Sequence, residues 1–237
     1  MSGQRRAVVL LSGGLDSAVC ASIARHEGLA LYALTVDYGQ RHRAELDAAT
    51  NIAGAVHVER HLVLPVDLTR WGGSALTGSE PVPTDRTAQQ IGSDIPITYV
   101  PARNTIFLAL AMGWAETLGT GDIYIGAHSL DYSGYPDCRP EYFSAFEQLA
   151  TLATKAGVEE SSRWRIHAPL LRMTKTEIVQ RGAELCVPFA LTRSCYQPSK
   201  SGAACGRCDA CRIRLRAFDA AGLTDPVTYE TNTVAVR

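Results

Sequence analysis

The chain has 237 residues, 46% of them hydrophobic, and its 23 basic and 24 acidic side chains leave a formal charge of −1. That length allows one large core or two modest ones, and the balance argues against a surface built to grip nucleic acid over a wide area, while leaving room for a local basic patch. Only five apolar residues separate Arg6 from Ser12, too few for a signal-peptide core, and no run approaches the roughly 18 apolar residues of a membrane span. The expected setting is the cytoplasm, with no direct nucleic-acid partner and no membrane contact.

Apolar runs alternate with helical patterns from the start. Residues 7–11 read as a buried strand and 16–27 as a helix. Leu15, Val19 and Ile23 share one face of that helix, and Gly28 stands at its C-terminal end. Residues 29–37 form a second strand, 43–53 a helix and 56–64 a third strand. Residues 71–96 are rich in Gly, Pro, Ser and Thr and read as a long loop or flap. Beyond them, Asn104 reads as the N-cap of a helix over 105–118, followed by a strand over 122–127. A helix over 141–155 and a last strand over 165–170 follow. Thr174 with Glu177 then forms a capping box for a short helix ending near Gly182. This alternation predicts a doubly wound parallel α/β sheet. The loops 12–17, 37–43 and 128–139 each follow a strand, so all three converge at the carboxyl ends, where such sheets bind ligands.

The first of these loops lies in VVLLSGGLDSAVC, residues 8–20. A strand, a glycine turn and a helix start aim backbone N–H groups and a positive helix end at an anion. Gly13 and Gly14 admit close approach, Ser12 and Ser17 add hydroxyls, and Leu11 and Leu15 flank them. Neither G-x-x-x-x-G-K-[ST] nor G-x-G-x-x-G is present, which argues against γ-phosphoryl transfer. Asp16 suits a Mg2+ ion bridging phosphates. The plainer alternative is a tight turn in which Asp16 only favours the first helical turn.

Cys195, Cys205, Cys208 and Cys211 read C-x9-C-x2-C-x2-C. Four thiolates so close suit a closed tetrahedral Zn2+ site, with an iron–sulfur cluster as the rival. The expected organisation is an α/β domain over 1–190, with 191–237 as a zinc-binding segment packed on it. Cys20 and Cys186 sit in apolar patterns and read as core residues. Arg207, Arg212, Arg214 and Arg216 read mostly as a solvated helix face.

Two further stretches bear on the substrate. Asp37, in DYGQRHR, lies 23 residues beyond Gly14 and can reach a nucleotide ribose; it can equally cap the next helix. The stretch GAHSLDYSGYPDCRPEYF, residues 126–143, offers tyrosines, carboxylates and an arginine in a Gly/Pro-rich loop. That mixture suits a planar heterocycle, with Asp131 or Asp137 accepting from a guanine-like N–H edge, or else stabilises the loop itself.

SGGLDS resembles the loop of the ATP-pyrophosphatase superfamily. Taken with DYGQRH, VPARN at 100–104, DYSGYPDCR and TRSCY…CGRCDACRIRLRAF, the chain resembles the 7-cyano-7-deazaguanine synthase family from about residue 7 to residue 229. The resemblance implies an adenine nucleotide alpha hydrolase-like fold, a zinc site and a homodimer. It also implies ATP-dependent conversion of 7-carboxy-7-deazaguanine and ammonia to the nitrile through adenylated carboxylate and amide intermediates. Leu11, Ser12, Gly13, Gly14, Leu15, Asp16, Ser17 and Asp37 would then serve ATP, and Asp16, Ser17, Arg103 and Lys175 the chemistry. Gln40, Arg41, His42, Asp131, Tyr132, Tyr135, Asp137 and Arg139 would hold the deazaguanine. Lys175 can equally be a first-turn surface lysine. An offshoot that attaches a deazaguanine to a protein partner, and a tRNA-modifying adenylating or thiolating enzyme, are the alternatives.

Overall fold

A computed structural model describes residues 4–40, 43–87, 90–91, 95–128, 135–159 and 163–230. Its centre is a five-stranded parallel sheet in the order β3-β2-β1-β4-β5. The strands are β1 (Arg6–Leu10), β2 (Ala30–Asp37), β3 (Arg60–Pro65), β4 (Asp122–Ile125) and β5 (Arg165–His167). Helices α1 (Leu15–His26), α2 (Ala44–Val56), α3 (Arg103–Thr117) and α4 (Pro140–Ala153) follow the first four strands. The short α5 (Lys155–Glu159), then α6 (Lys175–Glu184) and α7 (Asp209–Ala220), complete the set.

Strand alternation explains why both faces of the sheet are covered. Ala7, Val9 and Leu11 pack with Leu15, Val19, Ile52, Ile178 and Phe218, the core under α1, α2, α6 and α7. Val8 and Leu10 point the other way and join Leu34, Leu108, Ile123 and Phe146, under α3 and α4. The order reverses between β1 and β4, which makes their carboxyl ends the place where a crevice opens. Both predicted features of α1 and α6 are present: Leu15, Val19 and Ile23 are buried, and Thr174 and Glu177 form a complete capping box.

Several expectations are corrected. Asn104 does not cap α3; Ala102, in a left-handed conformation at φ 55°, takes that place, because the Asn104 amide is used elsewhere. The strand expected over 165–170 is only three residues long, and Leu170 is buried beyond it. Cys186 is exposed rather than core, at φ 54° just beyond α6, whereas Cys20 is fully buried. The described part of 71–96 is the loop expected, but it is not a free flap. Ser74, Ala75, Leu76 and Val82 are buried, and Thr84 pairs with Cys208 in an antiparallel bridge. Ion pairs Asp85–Arg207 at 2.5 Å and Arg86–Asp209 at 2.9 Å fasten it to the cysteine segment.

Arg214 departs furthest from the solvated face expected of it. It is 2% exposed and donates from Nε and Nη2 to both carboxylate oxygens of Asp225, at 2.7 and 2.9 Å. Further bonds run to Thr192 Oγ1 (2.7 Å) and the Phe189 carbonyl (3.3 Å). This ties α7 to the stretch after α6 and to the segment around Asp225.

Candidate active site

A cavity of about 290 Å³ opens at the carboxyl ends of β1 and β4. Its floor is the turn from β1 into α1. Ser12 Oγ and Ser17 Oγ share a hydrogen bond of 3.0 Å, and Ser17 Oγ also donates to the Gly14 carbonyl at 3.0 Å. No side chain caps α1, and the residues at its start, Gly14–Ser17, line the cavity. Gly13 makes this turn possible: its φ is +85°, and a Cβ there would lie 2.2 Å from the Glu45 carbonyl oxygen. Gly13→Ala should therefore lower stability by at least about 2 kcal/mol, read from urea unfolding.

Asp16 and Lys175, 159 positions apart, meet at this floor. Lys175 Nζ donates to both Asp16 oxygens, at 2.5 and 2.6 Å, and His128 Nε2 lies 3.5 Å from Oδ2. Burial would raise the Asp16 pKa, but Lys175 and His128 outweigh it and hold the carboxyl well below the usual range. The fold thus decides against a surface role for Lys175, whose side chain is 13% exposed.

The opposite wall carries Arg103, Tyr38, Phe107 and Tyr135. The Arg103 guanidinium stands 6.0 Å from the Tyr38 ring centre. Burial works against its charge, yet Tyr38, Tyr135, Tyr196 and Asp137 keep its pKa raised. Tyr135 packs against Tyr99, with ring centres 5.7 Å apart.

Among the residues expected to touch ligand, Leu11, Ser12, Gly14, Leu15, Asp16, Ser17, Gln40, Arg103, Tyr135 and Lys175 line this cavity. Gly13 supports the turn from below. Asp137 sits behind the wall rather than in it: its carboxylate accepts from the Asn104 N–H at 3.1 Å, and Asn104 Nδ2 donates back to its carbonyl at 3.1 Å. That reciprocal pair binds the 136–138 turn to the start of α3. Arg139 is exposed and donates to the Pro136 carbonyl. Asp37 lies outside the wall, 3.7 Å from Arg43. Arg41, His42, Asp131 and Tyr132 fall outside the described residues.

Sequence reasoning missed Glu45, Tyr38, Ser194 and Tyr196, all in the wall. Glu45 was disguised as an ordinary first-turn acid of α2. Burial pushes its pKa up to about 7, against the pull of Arg103.

The four cysteines are all buried, and their Sγ atoms lie within 4.8 Å of one another. Backbone N–H groups of Gln197 and Cys205 donate to Cys195 Sγ, and those of Arg207 and Cys208 to Cys205 Sγ, at 3.2–3.4 Å. Converging sulfurs surrounded by N–H donors are what a cation held by thiolates requires. Tyr196, Ala210 and Ile213, on either side of the cluster, reach the main cavity.

Comparison with known proteins places the chain in one family. The family described as "Queuosine biosynthesis protein QueC" matches residues 6–222. A protein of Syntrophotalea carbinolica named 7-cyano-7-deazaguanine synthase is 57% identical over 225 residues, covering 95% of this chain and 96% of that one. A protein of the same name from Geobacter sulfurreducens is 56% identical over 227 residues, covering 96% of this chain and 94% of its own. A match over most of the length, with the four cysteines and the SGGLDS turn inside it, settles the membership: the chain belongs to the queuosine biosynthesis protein QueC family.

Proposed function

We propose that this chain is an ATP-dependent carbon–nitrogen ligase that converts 7-carboxy-7-deazaguanine and ammonia to 7-cyano-7-deazaguanine. The observation that carries the reading is the 57% identity, over 95% of the chain, to a protein named for that synthesis. The cavity adds chemical support, because one wall suits phosphates and the other a flat heterocycle.

A carboxylate resists ammonia because its leaving group would be an oxide. Attack of a carboxylate oxygen on the α-phosphorus of ATP expels pyrophosphate and leaves AMP as a good leaving group. Ammonia then displaces AMP to give the amide. A second ATP activates the amide oxygen, and loss of AMP and a proton leaves the nitrile. In this reading the N–H groups of α1 at Gly14–Ser17 and the hydroxyls of Ser12 and Ser17 hold the phosphates. Lys175 and Arg103 offset the charge that develops on pyrophosphate. Tyr38, Gln40 and Tyr135 would hold the deazaguanine, with Arg41, His42, Asp131 and Tyr132 assigned to the same task from sequence alone.

Asp16 is the residue that would hold a Mg2+ ion, sharing its ionised carboxylate between that ion and Lys175. Such an ion, when bound, neutralises phosphate charge. Cys195, Cys205, Cys208 and Cys211 would hold Zn2+, whose contribution is structural: it cross-links the segment that supplies Tyr196, Ala210 and Ile213 to the wall. Metal analysis should find one zinc per chain. Stripping it should speed amide hydrogen exchange at 74–87 and 195–211, because the two segments are bonded together at Thr84–Cys208.

Thiolation of tRNA is not favoured. The cluster sulfurs face one another, and burial pushes the Cys138 thiol, in the cavity wall, up to about 12. Among the described residues no helix is long and apolar enough to cross a membrane. The reading includes a cytoplasmic homodimer, for which the exposed Leu149, Leu152 and Val158 supply an apolar face. Phosphorus NMR of the reaction tests the adenylation directly: AMP and pyrophosphate are expected, and ADP with phosphate would contradict it.

A further inference from the structure

A second, smaller cavity of about 20 Å³ abuts the first, and Glu45, Arg193 and Ser194 belong to the walls of both. That volume accommodates a single water-sized molecule. It is too small for a nucleotide or a heterocycle but right for ammonia. Ala44, Pro198, Ala204 and Val227 make much of its lining apolar.

The cations bordering this space are already committed. Arg214 is held on both oxygens of Asp225. Arg193 Nη1 donates to the carbonyls of Ala190 and Thr192, at 2.9 and 3.0 Å. Tyr229 donates to Asp225 at 2.6 Å, and Cys195 and Cys211 belong to the sulfur cluster. From the main cavity, Arg103 and Tyr38 act on Glu45. Among the described residues, Glu45 is the one carboxylate lining both cavities, and no hydrogen bond or ion pair engages its side chain. Asp16, the other acid in the main cavity, is occupied by Lys175.

We propose that the small cavity admits ammonium and that Glu45 removes its proton at the junction, delivering ammonia to the activated carboxyl carbon. The proposal rests on the ligase reading above. An N–H bond of ammonium breaks, its proton passing to the Glu45 carboxylate and its electron pair staying on nitrogen. That pair forms the C–N bond. The C–O bond to AMP breaks, AMP leaves with the electrons, and the surplus proton on nitrogen goes to the departing phosphate. Because burial brings the Glu45 acid to about 7, it can accept a proton at neutral pH and return it to water between turnovers.

The test compares wild type with Glu45→Gln, using ammonium chloride with either the carboxylate substrate or its pre-formed amide. In wild type, kcat/KM for total ammonium should level off above neutrality, since Glu45 makes the ammonia. In Glu45→Gln it should fall at least about tenfold at pH 7. It should then climb about tenfold per pH unit as free ammonia increases. The loss on the carboxylate should exceed the loss on the amide by about tenfold or more, because the amide already carries its nitrogen. A wild-type profile that climbs with free ammonia would overturn the proposal, even if the variant did not fold. Equal losses on acid and amide would overturn it too. A wild type that converts neither would overturn the ligase reading, and this proposal with it.

Discussion

Replacing Asp16 with Asn should slow nitrile formation by about 100-fold or more while leaving the chain folded, as measured by steady-state turnover beside thermal unfolding. The side chain is a quarter exposed, so little packing is lost. What disappears is the charge that holds Lys175 Nζ at 2.5 and 2.6 Å and draws His128 to 3.5 Å. Without it, the cation loses its position under the α1 N-terminus, where phosphates are proposed to sit. Lys175→Ala should lose a comparable amount, and the double variant little more than either alone, because the two groups act as one unit. A loss of only twofold or threefold would reduce Asp16 to a helix-start acid.

The largest stability effect is expected at Asp225. Its side chain is 4% exposed and that of Arg214 3%. Asp225→Ala leaves the guanidinium buried without its counter-charge and also removes the acceptor of the Tyr229 hydroxyl. The expected cost is about 3–5 kcal/mol in urea unfolding. Replacing Arg214 and Asp225 together with Leu should cost less than Asp225→Ala alone, since no charge is then stranded. If the double replacement proves worse, shape rather than charge holds α7 in place.

The parts of the fold that were legible in the sequence are those written locally. The unbroken apolar run Val8, Val9, Leu10 and Leu11 marked a strand buried on both faces, and Thr174 with Glu177 marked the start of α6. The spacing of Cys195, Cys205, Cys208 and Cys211 was enough to bring four sulfurs together. What escaped depends on partners distant in sequence. Arg214 looked solvated because Asp225 and the Phe189 carbonyl lie beyond any local window. Asn104 looked like a cap because nothing nearby announced its bonds to residues 137 and 138. The Gly- and Pro-rich stretch after residue 71 looked loose because its anchors, Arg207 and Asp209, come more than a hundred residues later.

The candidate site divides in the same way. Ser12, Gly14, Asp16 and Ser17 were readable because a strand, two glycines and a helix start specify an anion site within a few residues. Asp137 could be read either as a ligand or as a stabiliser of its own loop, and its carboxylate is bonded to the start of α3. Glu45 was passed over because an acid in the first turn of a helix is ordinary. Only the junction of two cavities gives it another meaning.

The most direct test of the central claim is the mass of the product. Purified protein incubated with ATP, Mg2+, ammonium chloride and 7-carboxy-7-deazaguanine should yield 7-cyano-7-deazaguanine, with AMP accumulating alongside it. Recovery of unchanged carboxylate, or of a reaction that stops at the amide, would contradict the account.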